Sequence, residues 1–347
     1  DLLMKALPAP TPAQVSARVV KALESLAAAG YVSVHEAGAD TALLAALEQL
    51  QASGKLTIPV YTMLAARDAA LMDAWAARKP VTGTTHLVVR SVKAFYDGAM
   101  GSRGALFFDD YSDRPGHRGV GGADYGFDRD RMATMMRAGF QVVIHAIGDR
   151  ANREALDLFA SVIAANPDAK NTRPRIEHAQ VVSPDDWPRF AQLGVIASMQ
   201  PSHAVEDMPW AEARIGPERI KGAYAWRSLR RAGARLAFNS DLPATDYNIF
   251  YGLHSAVTRQ DKDGKPPGGW RREEAMTIEE ALRGWTSWAA YAEFREHEMG
   301  MLVANRRADL TVVDIDPMQI GEKEPDKLLG GKILMTIAGG KVVHTKR

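Results

Sequence analysis

Apolar residues recur along this chain with two alternating periods. Between residues 13 and 29 they fall at helical spacing (Val15, Val19, Val20, Leu23, Leu26), and Gly30 ends the run. YVSVHEAG (31–38) then reads as a strand, TALLAALEQLQASG (41–54) as a helix closed by Gly54, KLTIPVYTML (55–64) as a strand, and the alanine-rich run 65–78 as a helix. HLVVRSVKAFYDG (86–98) is strand-like and leads into a loop, 99–125, rich in Gly, Asp and Arg. Loops of that length inside a compact domain are usually functional or disordered. A helix over 127–140, the strand QVVIHAIG (141–148) and a helix over 151–165 follow. RPRIEHAQ (173–180), GVIASMQPSH (194–203) and ARLAFNSDLP (234–243) are further strands, with helical stretches between them that include 217–232.

Strands separated by helices, without hairpin signals, predict a parallel sheet with right-handed crossovers. Two closures fit, a (β/α)8 barrel or an open doubly wound sheet, and the polar residues favour the first. His35-Glu36, Lys93, His145, Glu177-His178, Gln200/His203 and Ser240-Asp241 all stand at C-terminal strand ends. An open sheet focuses its site at one switch point, whereas a barrel collects chemistry from many strand ends on one face. The expected fold is therefore α/β, a TIM-type barrel over residues 1–300, although only seven of its eight strands are found. A Gly- and Pro-rich loop (261–269) and a helix over 277–294 complete that part. From residue 301 the texture changes: ADLTVVDID (308–316) and KILMTIAGGKVVHTKR (332–347) read as strands with no helix between them, a small β appendage over 301–347.

Composition narrows the function classes. The chain has 347 residues, 46% apolar and 24% charged, with net charge +1 and interspersed signs. That is ordinary for a globular protein with a sizeable core and lacks the basic stripe of a nucleic-acid binder. No apolar segment approaches the ~20 residues of a membrane span. The absence of cysteine excludes disulfides and thiolate metal sites but does not fix the compartment. The expected location is the cytoplasm, with the periplasm left open. DLLMKALPAPTPAQ at the start reads as the middle of a longer protein.

Lys93, His145, His178 and Asp241 lie at the ends of four different strands. Zinc-type metals take imidazole and carboxylate ligands and keep an open position for water. An aspartate on a later strand could both bind metal and accept the proton of an activated water. A lysine desolvated beside metals has a lowered pKa and can react with CO₂ to give an anionic carbamate ligand. Each residue has a plainer reading. His145 and His178 could be core histidines, Asp241 a turn residue in SDLP, and Lys93 the partner of Asp97, which spacing alone slightly favours. All four being plain, each on a different strand end, is much less expected than any one.

Together the segments VKAFYDGAMGSRGA (92–105), VVIHAIGDRAN (142–152), RIEHAQ (175–180), ASMQPSH (197–203), AYAWRSLRRAGARLAFNSDLP (223–243), TIEEALRGWTSWAAYA (277–292), RRADLTVVDID (306–316) and TIAGGKVV (336–343) resemble the amidohydrolase superfamily. The resemblance runs from about residue 27 to the end, and lies specifically with the YtcJ-like branch that includes N-substituted formamide deformylases. It implies a metal-dependent (β/α)8 barrel with a small β-sandwich built from both chain ends. It further implies that Lys93 is a carboxylated metal ligand, that His145 and His178 are metal ligands, and that Asp241 is the metal-linked general base. Gln200 and His203 would face substrate, and Asp97 and Arg103 would shape its pocket. The chain departs from the family in two respects, of which the first bears on the chemistry. None of its nine histidines forms the His-x-His pair of the family's first strand. The seven strands thus correspond to the second through eighth, and a fragment, a first strand from a separate chain, or a degenerate member would each account for this. The segment EMGMLVANRRADL (298–310) also stands where the family has a Gly-Ser-Leu-x-x-Gly-Lys type of turn.

The expected activity is hydrolysis of an amide, N-formyl or N-acyl C–N bond by metal-activated water, with Asp241 as general base and Zn²⁺, one or two ions, as the cofactor. The alternative is a non-catalytic barrel that keeps remnants of the metal site. An oxidoreductase would need a G-x-G-x-x-G after a strand, which is missing. The expected partner is a small-molecule amide, with no nucleic acid and no membrane, and homo-oligomerisation is left open. Loops 99–125 and 201–222 would set specificity. Tyr96, Met208 and Trp210 hint at an apolar substituent, or equally at packing of a lid.

Overall fold

The computed structural model describes residues 8–83 and 86–346, so the first half of DLLMKALPAPTPAQ lies outside the described residues. Helix α1 (Pro12–Ala28) opens with a capping box between Thr11 and Gln14. Strand β1 (Val34–Ala39), helix α2 (Thr41–Ala52), β2 (Val60–Ala65), α3 (Ala69–Ala76) and β3 (Leu87–Phe95) follow. After the long loop come α4 (Arg129–Arg137), β4 (Gln141–Ala146), α5 (Asp149–Ala165), β5 (Arg175–His178), α6 (Trp187–Leu193) and β6 (Ile196–Met199). The next elements are α7 (Pro201–Arg219), α8 (Trp226–Arg231), β7 (Arg235–Phe238), α9 (Ile249–Thr258), α10 (Ile278–Trp285) and α11 (Ser287–Ala292). The chain ends with β8 (Leu310–Val313), α12 (Pro317–Lys323), β9 (Ile333–Ala338) and β10 (Lys341–Thr345).

Strands β1 to β7 form one parallel sheet in sequential order. Alternation along each strand divides the core in two. Val92, Val142, Ile144, Ala197 and Leu236 face outward into the main core beneath the helices. Tyr61, Met63, Val88 and Val143 pack together in a separate cluster, as do Ile196 and Ala237 with Ala292. The inner cluster is possible because the sheet curls. In a flat sheet β1 and β5 would stand about 19 Å apart. Here Arg175 on β5 lies 2.8 Å from His35 on β1, and Tyr61 on β2 donates to Gln141 on β4 at 2.9 Å. The architecture is thus a curled, half-barrel parallel sheet, in which no pairing joins β1 to β7 among the described residues.

The segment after α11 fills the N-terminal mouth of this curl. Gln141 donates to the Ala292 carbonyl (3.0 Å), and Ser33 donates to the Glu293 carboxylate (3.2 Å). Strands β8, β9 and β10 make a separate antiparallel sheet. Helix α1 lies against it, with Thr336 donating to Ala27 and Thr311 to Gly30, both at 2.7 Å.

Four expectations need correction. The helical stretch expected over 277–294 breaks at Thr286 (φ −126°, ψ −90°) into α10 and α11. Residues 201–219 are helical from the end of β6 onward, with a kink at Gly216, so helix begins well before 217. Helix α9 stands where no helix is expected, and α12 interrupts the C-terminal strands.

Candidate metal centre

Inward alternation brings Lys93 from β3 and His145 from β4 toward the C-terminal mouth of the curl, beside His178 at the end of β5. The chain leaves β5 and β7 through backbone that side-chain-bearing residues seldom adopt: His178 has φ 74°, Ala179 φ 41° and Asp241 φ 51°. Such turns cost about 1–3 kcal/mol each and cluster at functional sites. Here they accompany the convergence of His178, His203 and Asp241, whose potential ligand atoms all lie within 4.8 Å of one another. His203 Nε2 is 3.9 Å from Asp241 Oδ2. The His145 and His178 rings meet edge to face at 4.5 Å, and those of His178 and His203 stack at 5.7 Å.

Electrostatics keep these groups in ligating form. Burial, then the Lys93 charge, pulls His145 down to about 3. Burial, then His145, holds His178 well below the ordinary histidine range, and burial brings His203 to about 4. All three imidazoles are therefore neutral near pH 7, as metal ligands must be. Asp241 is raised to about 6 by burial and by Glu177, with Lys93 opposing. Burial lowers Lys93 to about 8 against the pull of Glu177 and Asp241.

Fit to a cation rests on open valences. His203 Nδ1, in the cluster, is buried without a hydrogen-bond partner, and such groups are costly unless something satisfies them. His145 Nε2 also lacks one but faces the Asp97 carboxylate at 3.6 Å. His145 is held through the Gly98 backbone, and His178 Nδ1 meets Gln200 Oε1 at 3.0 Å. These contacts fix the ring orientations. Behind them Gln200 donates to Asn239 (3.0 Å), Asn239 to Ser198 (2.8 Å), and Arg175 to Ser198 (2.8 Å) while pairing with Glu177 at 2.6 Å.

The structure distributes the residues expected at the site as follows. His178 and Asp241 stand in the cluster, and His203, expected to face substrate, is its second imidazole. The cluster includes neither His145, whose ring lies edge to face with His178 at 4.5 Å, nor Lys93, whose ammonium lies 4.2 Å from the Phe95 ring centroid. Asp97 lies behind His145, 3.6 Å from its Nε2, and is fully buried. Its carboxylate accepts from the backbone N–H groups of Leu106 (2.9 Å), Ile147 (3.0 Å) and Gly148 (2.9 Å), and burial raises it to about 7 against those bonds. Arg103 grips Asp113 with two hydrogen bonds, at 3.0 and 2.8 Å, and Arg214 of α7 pairs with the same carboxylate. Trp210 covers Gly101, and Tyr96 donates to Glu154 and packs on Phe127, which places both in packing roles.

Sequence reasoning missed the far wall. Beside His178, Gln200 and His203 the site is closed by Gln180, Met199, Tyr224 and Trp226, packed with no space for a water molecule between them. Gln180 belongs to the quoted RIEHAQ motif and donates to Tyr224 Oη (2.8 Å), which donates to Asp207 (2.6 Å). Asn152, in VVIHAIGDRAN, donates to the Gly148 (2.9 Å) and Val181 (3.2 Å) carbonyls and ties β4 to the turn after β5.

Comparison with known proteins agrees with this geometry. The sequence model of the Amidohydrolase family matches residues 1–344. The chain is 36% identical to Protein LONG AFTER FAR-RED 3 of Arabidopsis thaliana, over 74% of this chain and 43% of that protein. It is 28% identical to the putative amidohydrolase YtcJ of Bacillus subtilis, over 100% of this chain and 64% of that one. An N-substituted formamide deformylase of Arthrobacter pascens is 30% identical over 59% of this chain and 36% of its own. The chain therefore spans less than two thirds of each of these relatives. An uncharacterized metal-dependent hydrolase from Pyrococcus horikoshii superposes with TM-score 0.79 at 28% identity, covering 91% of this chain and 62% of that one.

Proposed function

The chain belongs to the amidohydrolase family, and we propose that it acts as a metal-dependent hydrolase of a carbon–nitrogen bond, in an amide or an N-formyl or N-acyl amine, within the YtcJ-like branch. The observation that carries this reading is the convergence of His178, His203 and Asp241 at the C-terminal mouth of the sheet. Similarity to an N-substituted formamide deformylase supports the choice of bond.

His145, His178, His203 and Asp241 would hold the ion, a nitrogen and oxygen set that suits zinc. When bound, a divalent ion of this kind lowers the pKa of water and polarises a carbonyl. Asp241 accepts the proton of the attacking water and passes it to the departing nitrogen. A carboxylate raised to about 6 is well placed to take and return a proton near neutral pH. Lys93, drawn down to about 8, is free-base often enough to add CO₂, releasing a proton and leaving a carbamate that could serve as a further anionic ligand. Gln200 holds the His178 ring in orientation. Gln180 and Tyr224 give the site a polar wall, while Arg103 and Asp97 shape it by fixing the loop at 99–125.

The absent His-x-His pair favours a second reading, a non-catalytic barrel that binds metal without turnover. One experiment separates the two. The chain is purified, its metal measured by mass spectrometry, and a panel of N-formyl and N-acyl amines is offered with one added equivalent of Zn²⁺. Stoichiometric metal with amine release supports the hydrolase. Metal without release supports the second reading, and no metal overturns both.

A further inference from the structure

A second cavity, of about 590 Å³, opens at the N-terminal end of the parallel sheet, the end opposite the metal centre. Arg90 of β3, Arg173 just before β5, Arg235 at the start of β7, and Lys170 line it together with Tyr291 and Phe294. Four cationic side chains thus face one space. Glu296 accepts two hydrogen bonds from Arg173, at 2.6 and 3.0 Å, and its charge also acts on Arg90. Lys170 donates to a neutral acceptor, the Gln192 carbonyl, at 2.6 Å. Arg90 lies 3.4 Å from the Phe294 ring centroid, and its Nε is buried without a hydrogen-bond partner. Arg235 lies 4.3 Å from the Tyr291 centroid.

Aromatic faces offset part of the cost of gathering these cations, but only by about 0.5–2 kcal/mol each. Like charges held around a cavity call for a counter-charge, and guanidinium groups match phosphate oxygens through paired N–H donors. We propose that this cavity is a binding site for a phosphate-bearing small molecule. Four cations share the single carboxylate of Glu296, and Arg235 and Lys170 make no ion pair among the described residues, which fits a multiply charged phosphate better than a single carboxylate. The volume beyond a phosphate group leaves room for an organic substituent.

The test is titration calorimetry of the intact chain with inorganic pyrophosphate at low salt, repeated with inorganic phosphate. Saturable binding at one site per chain, weakening as salt rises, is the expected result. Arg235 and Lys170 are exposed, so Arg235→Gln and Lys170→Gln should fold normally, and each should weaken pyrophosphate at least fivefold without changing bound metal. Glu296→Gln removes the carboxylate that competes for Arg173 and should tighten binding. Absence of saturable binding at millimolar pyrophosphate, or equal affinity in the wild type and in both cation variants, overturns the proposal.

Discussion

Asp241 Oδ2 stands 3.9 Å from His203 Nε2, the aspartate in the turn after β7 and the histidine in the first turn of α7. Two neighbouring strand ends therefore hand a carboxylate and an imidazole to the same point. Replacing Asp241 by Asn keeps its size but removes the proton acceptor. Asp241→Asn should lower turnover of an N-formyl amine by roughly 10²–10⁴-fold, with metal content within a factor of two of wild type. Near-normal turnover would show that Asp241 is not the base.

His178 is the shared member of the site, touching both neighbouring imidazoles. His178→Ala should abolish stoichiometric metal binding, measured by mass spectrometry after dialysis. A ligand that binds only the folded state stabilises it by about 3–4 kcal/mol at 100–1,000 times its Kd. Chelation should therefore lower the melting temperature of the wild type and leave the variant unmoved. An equal fall in both would dissociate stability from this site.

Asp97 satisfies three backbone N–H groups in a place that water does not reach. Each buried donor left without a partner costs about 1–3 kcal/mol. Asp97→Ala should cost about 3–5 kcal/mol in urea unfolding, and limited proteolysis should then cut first within 99–125. A loss under 1 kcal/mol would mean that the loop is seated by other contacts.

Glu293 is buried in the N-terminal mouth, and that burial raises its carboxyl to about 7. The folded state then holds a proton that the unfolded chain has released between about pH 4.5 and 7. Stability conferred by this group is present below that window and is lost as pH rises through it. Glu293→Gln should remove about 2–3 kcal/mol of the wild-type fall in stability between pH 5 and pH 8. Parallel stability curves for wild type and variant would refute the assignment.

Most of the sheet was legible because its strands alternate between two different environments. On β4, Val142 and Ile144 face the helices while Gln141, Val143 and His145 face the interior, so a period of two reports the pleat directly. Helix α9 escaped because it is buried on nearly every side, from Phe250 to Thr258, and carries no polar face to mark a turn of 3.6 residues. Helix α7 was masked by Pro209, Gly216 and Pro217, which ordinarily end helices. The polar wall of Gln180, Tyr224 and Asp207 comes from three distant segments, a convergence that spacing along the chain does not encode.

The Asp97 carboxylate joins the root of the long loop to the β4 turn two residues beyond His145. The tip beyond Leu106 hangs from that root, tied across to α7 by the Arg103–Asp113–Arg214 bridge. The segment from 108 to 118 is seated as well: Tyr111 is buried in the main core and donates to the Ala105 carbonyl, Phe108 N–H donates to Asp149, and Arg219 donates to the Asp109 and Asp110 carbonyls. The loop is therefore part of the frame that holds the imidazole, and variation in what the site admits has to come from side chains carried on that frame, since exchange of its backbone would disturb the chemistry beneath.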